Sequence, residues 1–111
     1  MEMNKEVLKG HIDTLILALL RKRDMYGYEL AKRVRERSGD RFEMKEATLY
    51  LSLKRLEKQQ WISSYWGDEQ GAGGRRKYYK LTDTGEQAYR TKCAEWQFLK
   101  EIMDKFMEGA D

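Results

Sequence analysis

Between Lys45 and Gln59 lie residues that could read a nucleic-acid duplex: Thr48, Leu51, Ser52 and Arg55. Hydroxyls can bond to base edges, a guanidinium can bond to a guanine or a phosphate, and a leucine methyl can touch the methyl of thymine. Leu49, Leu53 and Leu56, spaced four and three apart, form one narrow apolar stripe on a helix. At roughly 100° per residue, Ala47, Leu51, Lys54, Arg55 and Lys58 lie opposite that stripe, with Thr48 and Tyr50 on its flanks. Such a helix sits on a core by one edge and presents cations, hydroxyls and an exposed leucine to a partner. About 15 residues give roughly 22 Å of helix, and a helix fits the width of the major groove. Lys45, Lys54 and Lys58 suit phosphate positioning, because lysine is a flexible point charge without a fixed fork.

A second basic group, Arg75-Arg76-Lys77, leaves the loop Gly67-Asp68-Glu69-Gln70-Gly71-Ala72-Gly73-Gly74. Flanking glycines let such cations approach a phosphate backbone closely, while Asp68 and Glu69 temper the charge at the loop's entrance. Nothing resembles a catalytic centre. His11 is the only histidine and Cys93 the only cysteine, so no histidine dyad, multi-histidine metal site, disulfide or CxxC pair can form within one chain. There is no GxxxxGK[ST] loop, and the sequence implies no cofactor, no metal and no enzymatic activity.

The elements that must position these residues follow from periodicity. A helix is expected over about Lys5–Lys22, apolar on more than one side and therefore sandwiched, with Leu8, Ile12, Leu15, Ile16, Leu19 and Leu20 on its main face. A second runs over about Tyr26–Arg37 and stops at Ser38-Gly39-Asp40; the third covers about Lys45–Gln59, after an extended approach over Arg41–Met44. The period then changes. Trp61–Trp66 and Arg75–Leu81 read as the two strands of a hairpin, with Tyr78 and Tyr79 on opposite faces. Thr82 is a cap candidate for a terminal helix reaching about Met107. Helix, helix, helix, wing, long helix is the order of a winged helix-turn-helix, a mainly α fold with a small β-hairpin (α+β). The chain divides into a DNA-binding domain over residues 1–82 and a C-terminal dimerisation helix over 83–111.

The 111 residues support one small domain, and the 22 basic residues are nearly matched by 19 acidic ones for a net charge of +3, so a nucleic-acid surface must come from clustering. The longest apolar run, Leu15–Leu20, falls far below the roughly 18 residues that span a bilayer, and no leader-peptide pattern follows it. A cytoplasmic protein with no membrane partner is expected. On the terminal helix Tyr89, Trp96, Leu99, Met103 and Phe106 recur at helical spacing, flanked by Phe98 and Ile102, a face too wide for one small domain to cover. Trp96, Leu99, Met103 and Phe106 are therefore expected in a homodimer interface, against Leu8 and Ile12 of the partner's first helix.

Leu8-Lys9-Gly10 with Leu15-Ile16-Leu17, Tyr26-Gly27-Tyr28-Glu29-Leu30, Thr48-Leu49-Tyr50 through Arg55-Leu56-Glu57, and Arg76-Lys77-Tyr78-Tyr79 with Leu81-Thr82 and Gly85 together resemble the PadR family of bacterial transcriptional regulators, in its short form. The resemblance spans nearly the whole chain. It implies a dimeric winged-helix repressor of double-stranded DNA, with Tyr50 and the wing's basic residues Arg75, Arg76 and Lys77 as DNA contacts. The chain departs from the family at Ala47 and Leu51, where Gly and Pro are usual, and its wing loop lacks the usual proline. A two-fold axis would bring two Trp96 side chains near each other, and paired indoles can sandwich a small planar aromatic ligand; the resemblance implies the same region as an inducer site. The rival reading, a winged-helix protein–protein adaptor without DNA binding, calls for a reader face poor in cations, whereas this one keeps Lys54, Arg55 and Lys58.

Overall fold

The computed structural model of the chain describes residues 4–69 and 74–109. Helix α1 (Lys5–Lys9) is capped by Asn4, whose side-chain oxygen accepts the Glu6 backbone N–H at 2.8 Å. The single helix expected over Lys5–Lys22 is broken here. Gly10 ends α1, the His11 N–H donates back to the Leu8 carbonyl at 2.8 Å, and α2 (Ile12–Leu20) starts afresh. Glycine is a poor helix former, so the interruption falls where helix is weakest.

Helix α2 is the hub of the fold, packing against α3 (Gly27–Arg37), α4 (Glu46–Lys58), α5 (Asp83–Met107) and strand β3 (Lys77–Leu81). Its Ile16 and Leu17 are fully buried, with Leu30 of α3 and Leu49, Leu53 and Leu56 of α4 closing around them. Helix α3 ends where Ser38-Gly39-Asp40 predicts, the Ser38 hydroxyl donating to the Arg35 carbonyl and accepting the Phe42 N–H, both at 3.0 Å. The approach over Arg41–Met44 is irregular; it is not a strand.

The wing is a three-stranded antiparallel sheet instead of the expected two-stranded hairpin, in the order β1-β3-β2. Strand β1 (Met25–Tyr26) pairs Met25 with Tyr79 and Tyr26 with Tyr78, while β2 (Ile62–Trp66) runs from Ile62 opposite Leu81 to Trp66 opposite Lys77. A two-residue strand is too short to show alternation in sequence, so β1 exists only because β3 offers it an edge. Arg75 and Arg76 precede β3, and Trp61 precedes β2. Tyr79 points into the core and Tyr78 stays half-buried on the opposite face. The glycine-rich tip expected over Gln70–Gly73 lies outside the described residues.

Thr82 caps α5, its hydroxyl accepting the Gly85 N–H at 3.0 Å and donating to the Gln60 carbonyl at 2.8 Å. Gly85 is required where it stands, since a Cβ there would lie 2.0 Å from the Trp61 carbonyl oxygen. Arg21 ties α2 to the first turn of α5 through Glu86, with Nε at 2.8 Å from the carboxylate. The 25-residue α5 is about 37 Å long, and from Ala94 to Gly109 every residue is exposed. No helix among the described residues is long and apolar enough to cross a membrane.

Candidate nucleic-acid interface

Helix α4 buries Leu49, Ser52, Leu53 and Leu56 and turns Ala47, Tyr50, Leu51, Lys54, Arg55 and Lys58 outward. Leu51 is 63 % exposed, and Lys54 and Lys58 make no ion pair among the described residues. Ser52 departs from the expected base-reading position: it is fully buried, and its hydroxyl donates to the Asp13 carboxylate. Residues 49, 52, 53 and 56 complete one helical stripe, so Ser52 is its polar member and cannot reach a groove. Arg55 grips the same carboxylate, with Nη2 at 2.7 Å and Nε at 3.2 Å, while its side chain stays 47 % exposed. That charge-assisted contact holds the guanidinium pKa above its ordinary value. Asp13 belongs to no motif of the sequence. Its signal is that it is the only charged residue in α2, and a carboxylate on so apolar a helix needs a partner.

Thr48 is half-buried and lines a hollow of about 310 Å³ with Leu8, Ile12, Phe42, Met44 and Leu51. Tyr50 is exposed, and its hydroxyl lies over the start of α3, where a Cβ on Gly27 would come within 2.5 Å of it. The glycine makes room for the phenol.

Of the wing cations, Arg75 is exposed and outside every ion pair among the described residues, whereas the other two are engaged. The Arg76 guanidinium stacks 4.7 Å from the centre of the Tyr26 ring, and Lys77 Nζ lies 4.0 Å from Glu57 and over Tyr79. Tyr28, Tyr26, Tyr78 and Tyr65 form a continuous aromatic run with centroid spacings of 6.4, 5.6 and 5.7 Å. Hydrogen bonds hold the two wing members of the run: the Tyr65 hydroxyl donates to Asp24 at 2.6 Å and the Tyr78 hydroxyl donates to Glu69. The bond to Asp24 pushes the Tyr65 pKa up to about 12, and the bond to Glu69 raises that of Tyr78. This bracing welds the wing to the N-terminus of α3; Tyr26-Gly27-Tyr28 and Tyr78 stand out in sequence, whereas their contact does not.

On α5, Trp96, Leu99, Met103 and Phe106 are all exposed, together with Phe98, Ile102 and Met107. Leu8 and Ile12, the positions expected to receive a partner's helix, are instead 9 % and 6 % exposed within their own chain's core. Gly10 breaks the helix between them, and both turn toward the hollow beside α4; among the described residues Val7 and Leu15 are the exposed apolar ones left on this part of the chain. Trp96 is 51 % exposed and packs T-shaped against His11, ring centroids 5.4 Å apart. Among the described residues no group of His, Cys, Asp and Glu could hold a metal ion.

Comparison with known proteins shows which family has this fold. The profile of the transcriptional regulator PadR-like family matches residues 16–91. A transcriptional regulator from Clostridium thermocellum superposes with a TM-score of 0.86 at 41 % identity, over 95 % of this chain and 98 % of that one. The negative transcriptional regulator PadR of Bacillus subtilis is 32 % identical over 93 residues, 83 % of this chain but 50 % of that protein. Its crystal structure in complex with operator DNA superposes with a TM-score of 0.66 at 30 % identity, covering 74 % of this chain and 46 % of that one.

Proposed function

Since the chain belongs to the PadR-like family of transcriptional regulators, and is a regulator and not an enzyme, we propose that it is a cytoplasmic repressor that binds a pseudo-palindromic operator as a homodimer. Residues 1–82 bind DNA and residues 83–111 join the two subunits. Helix α4 enters the major groove with Leu51, Lys54 and Arg55 leading, Thr48 and Tyr50 at its edges, and Arg75, Arg76 and Lys77 of the wing on the phosphate backbone. Trp96, Leu99, Met103 and Phe106 meet a second copy, and a small planar aromatic inducer binds beside Trp96.

One observation carries this reading: a helix seated by Leu49, Leu53 and Leu56 leaves Leu51 exposed in one row with Lys54 and Lys58, which make no ion pair among the described residues, a surface that water alone does not favour and a duplex does. The likeness to an operator-bound PadR supports it. A mobility-shift titration of the full chain on duplexes from the region upstream of its own gene tests it. Binding should be dimeric and fall by roughly 0.9 log units per log unit of salt for each phosphate neutralised. Absence of binding, or binding indifferent to salt, would refute it.

A further inference from the structure

Asp13 lies on α2, outside the reader helix, yet it is the anchor of two reader-helix side chains one turn apart. Its carboxylate accepts the Ser52 hydroxyl on the buried side and Nε and Nη2 of Arg55, at 3.2 and 2.7 Å, on the open side. Burial is graded across the group: Ser52 is fully enclosed, the Asp13 side chain is 16 % exposed and that of Arg55 is 47 % exposed. A carboxylate held on the Nε–Nη2 edge leaves the end of the guanidinium, Nη1 and the second Nη2 proton, for another acceptor, and among the described residues Nη1 has none.

We propose that Asp13 is a specificity-positioning residue, fixing the roll of α4 through Ser52 and aiming the end of Arg55 so that it reads a base edge instead of acting as a loose cation. The inference rests on the DNA-binding reading above and concerns which interaction supplies discrimination. An arginine on a flexible stem finds any phosphate; one whose fork is already held meets only an acceptor pair in the matching direction, such as O6 and N7 of guanine. The pair is also close to neutral, so Arg55 adds little to general attraction for the backbone. Asp13 itself sits beneath the guanidinium and never touches DNA.

The test separates aim from attraction. Wild-type protein is used to select its tightest duplex from a random-sequence pool, and affinity for that duplex is compared with affinity for a scrambled duplex of the same composition. Asp13→Asn should lose roughly 5- to 100-fold of this preference, the range of one bidentate base contact, while binding the scrambled duplex as well as wild type or better, because a nearby negative charge is gone. Arg55→Lys keeps the charge but not the fork and should show the same loss, and the double variant should lose no more than either single one. If Asp13→Asn binds both duplexes more tightly with the preference kept, Asp13 merely restrains Arg55 and the proposal falls. It falls equally if both affinities drop together with thermal stability, since that is a structural role only. Should Asp13→Asn not fold, Arg55→Lys at its exposed site decides: retained preference overturns the proposal. A wild-type protein that selects no duplex would instead sink the DNA-binding reading itself.

Discussion

Gly27→Ala isolates the contact between the reader helix and the helix before it. A Cβ at Gly27 would lie 2.5 Å from the Tyr50 hydroxyl oxygen and 3.1 Å from Cζ, with no backbone atom among its nearest neighbours. The phenol must retreat by about 0.5–0.9 Å to reach tolerable contact, a displacement at the far end of a side chain, costing about 0.5–1.5 kcal/mol if χ1 leaves its rotamer. Alanine in place of glycine returns about 0.4–1 kcal/mol by restricting the unfolded chain. The two nearly cancel, so thermal or urea unfolding should move by no more than about 1 kcal/mol. DNA binding should not be spared. Tyr50 is 45 % exposed on the reader face, and a hydroxyl bonded to a phosphate loses much of that bond when shifted this far. About 1–2 kcal/mol, or roughly five- to thirtyfold in Kd, is expected in a mobility-shift titration. In a Tyr50→Phe background the atom struck first is gone, and Gly27→Ala should then change affinity little. An equal loss in that background, or a loss that only tracks stability, would refute the argument.

Leu99→Asp should yield folded monomers in sedimentation analysis and abolish operator binding, because an unpaired charge in an apolar interface costs several kcal/mol; a dimeric variant would move the interface elsewhere. In an absorbance titration of tyrosine, one phenol should ionise at about 12 and return toward 10 in Asp24→Asn. The sign follows from the raised folded-state value: the Tyr65–Asp24 bond contributes stability in full below the ordinary phenol pKa, and that contribution disappears as pH rises through about 12. Planar aromatic compounds should quench the intact protein more than Trp96→Ala and release DNA from it; equal quenching with no release would leave Trp96 as packing alone.

The reader helix, the three apolar residues that seat it and the long terminal helix were legible because each is a local property. Periodicity of 3.6 places Leu49, Leu53 and Leu56 together whatever surrounds them, and the Ser38-Gly39-Asp40 stop and the Thr82 cap act within one turn of chain. Ser52 follows the same periodicity inward, against the preference of a hydroxyl for water. Other features depend on neighbours that sequence does not name. Strand β1 is two residues that become a strand only on the edge of β3, and Leu8 and Ile12 were free for a partner until Gly10 bent the chain and the core took them. Arg76 and Lys77 look like bare wing cations until Tyr26 and Glu57, 50 and 20 residues earlier, come up beside them. Asp13 meets Ser52 and Arg55 across 39 and 42 residues of chain. Short-range torsional preference and side-chain period fixed the elements and their faces; only packing around α2 decided which polar groups found one another, since a hydrogen bond between distant residues exists only once burial has set their backbones at the right separation.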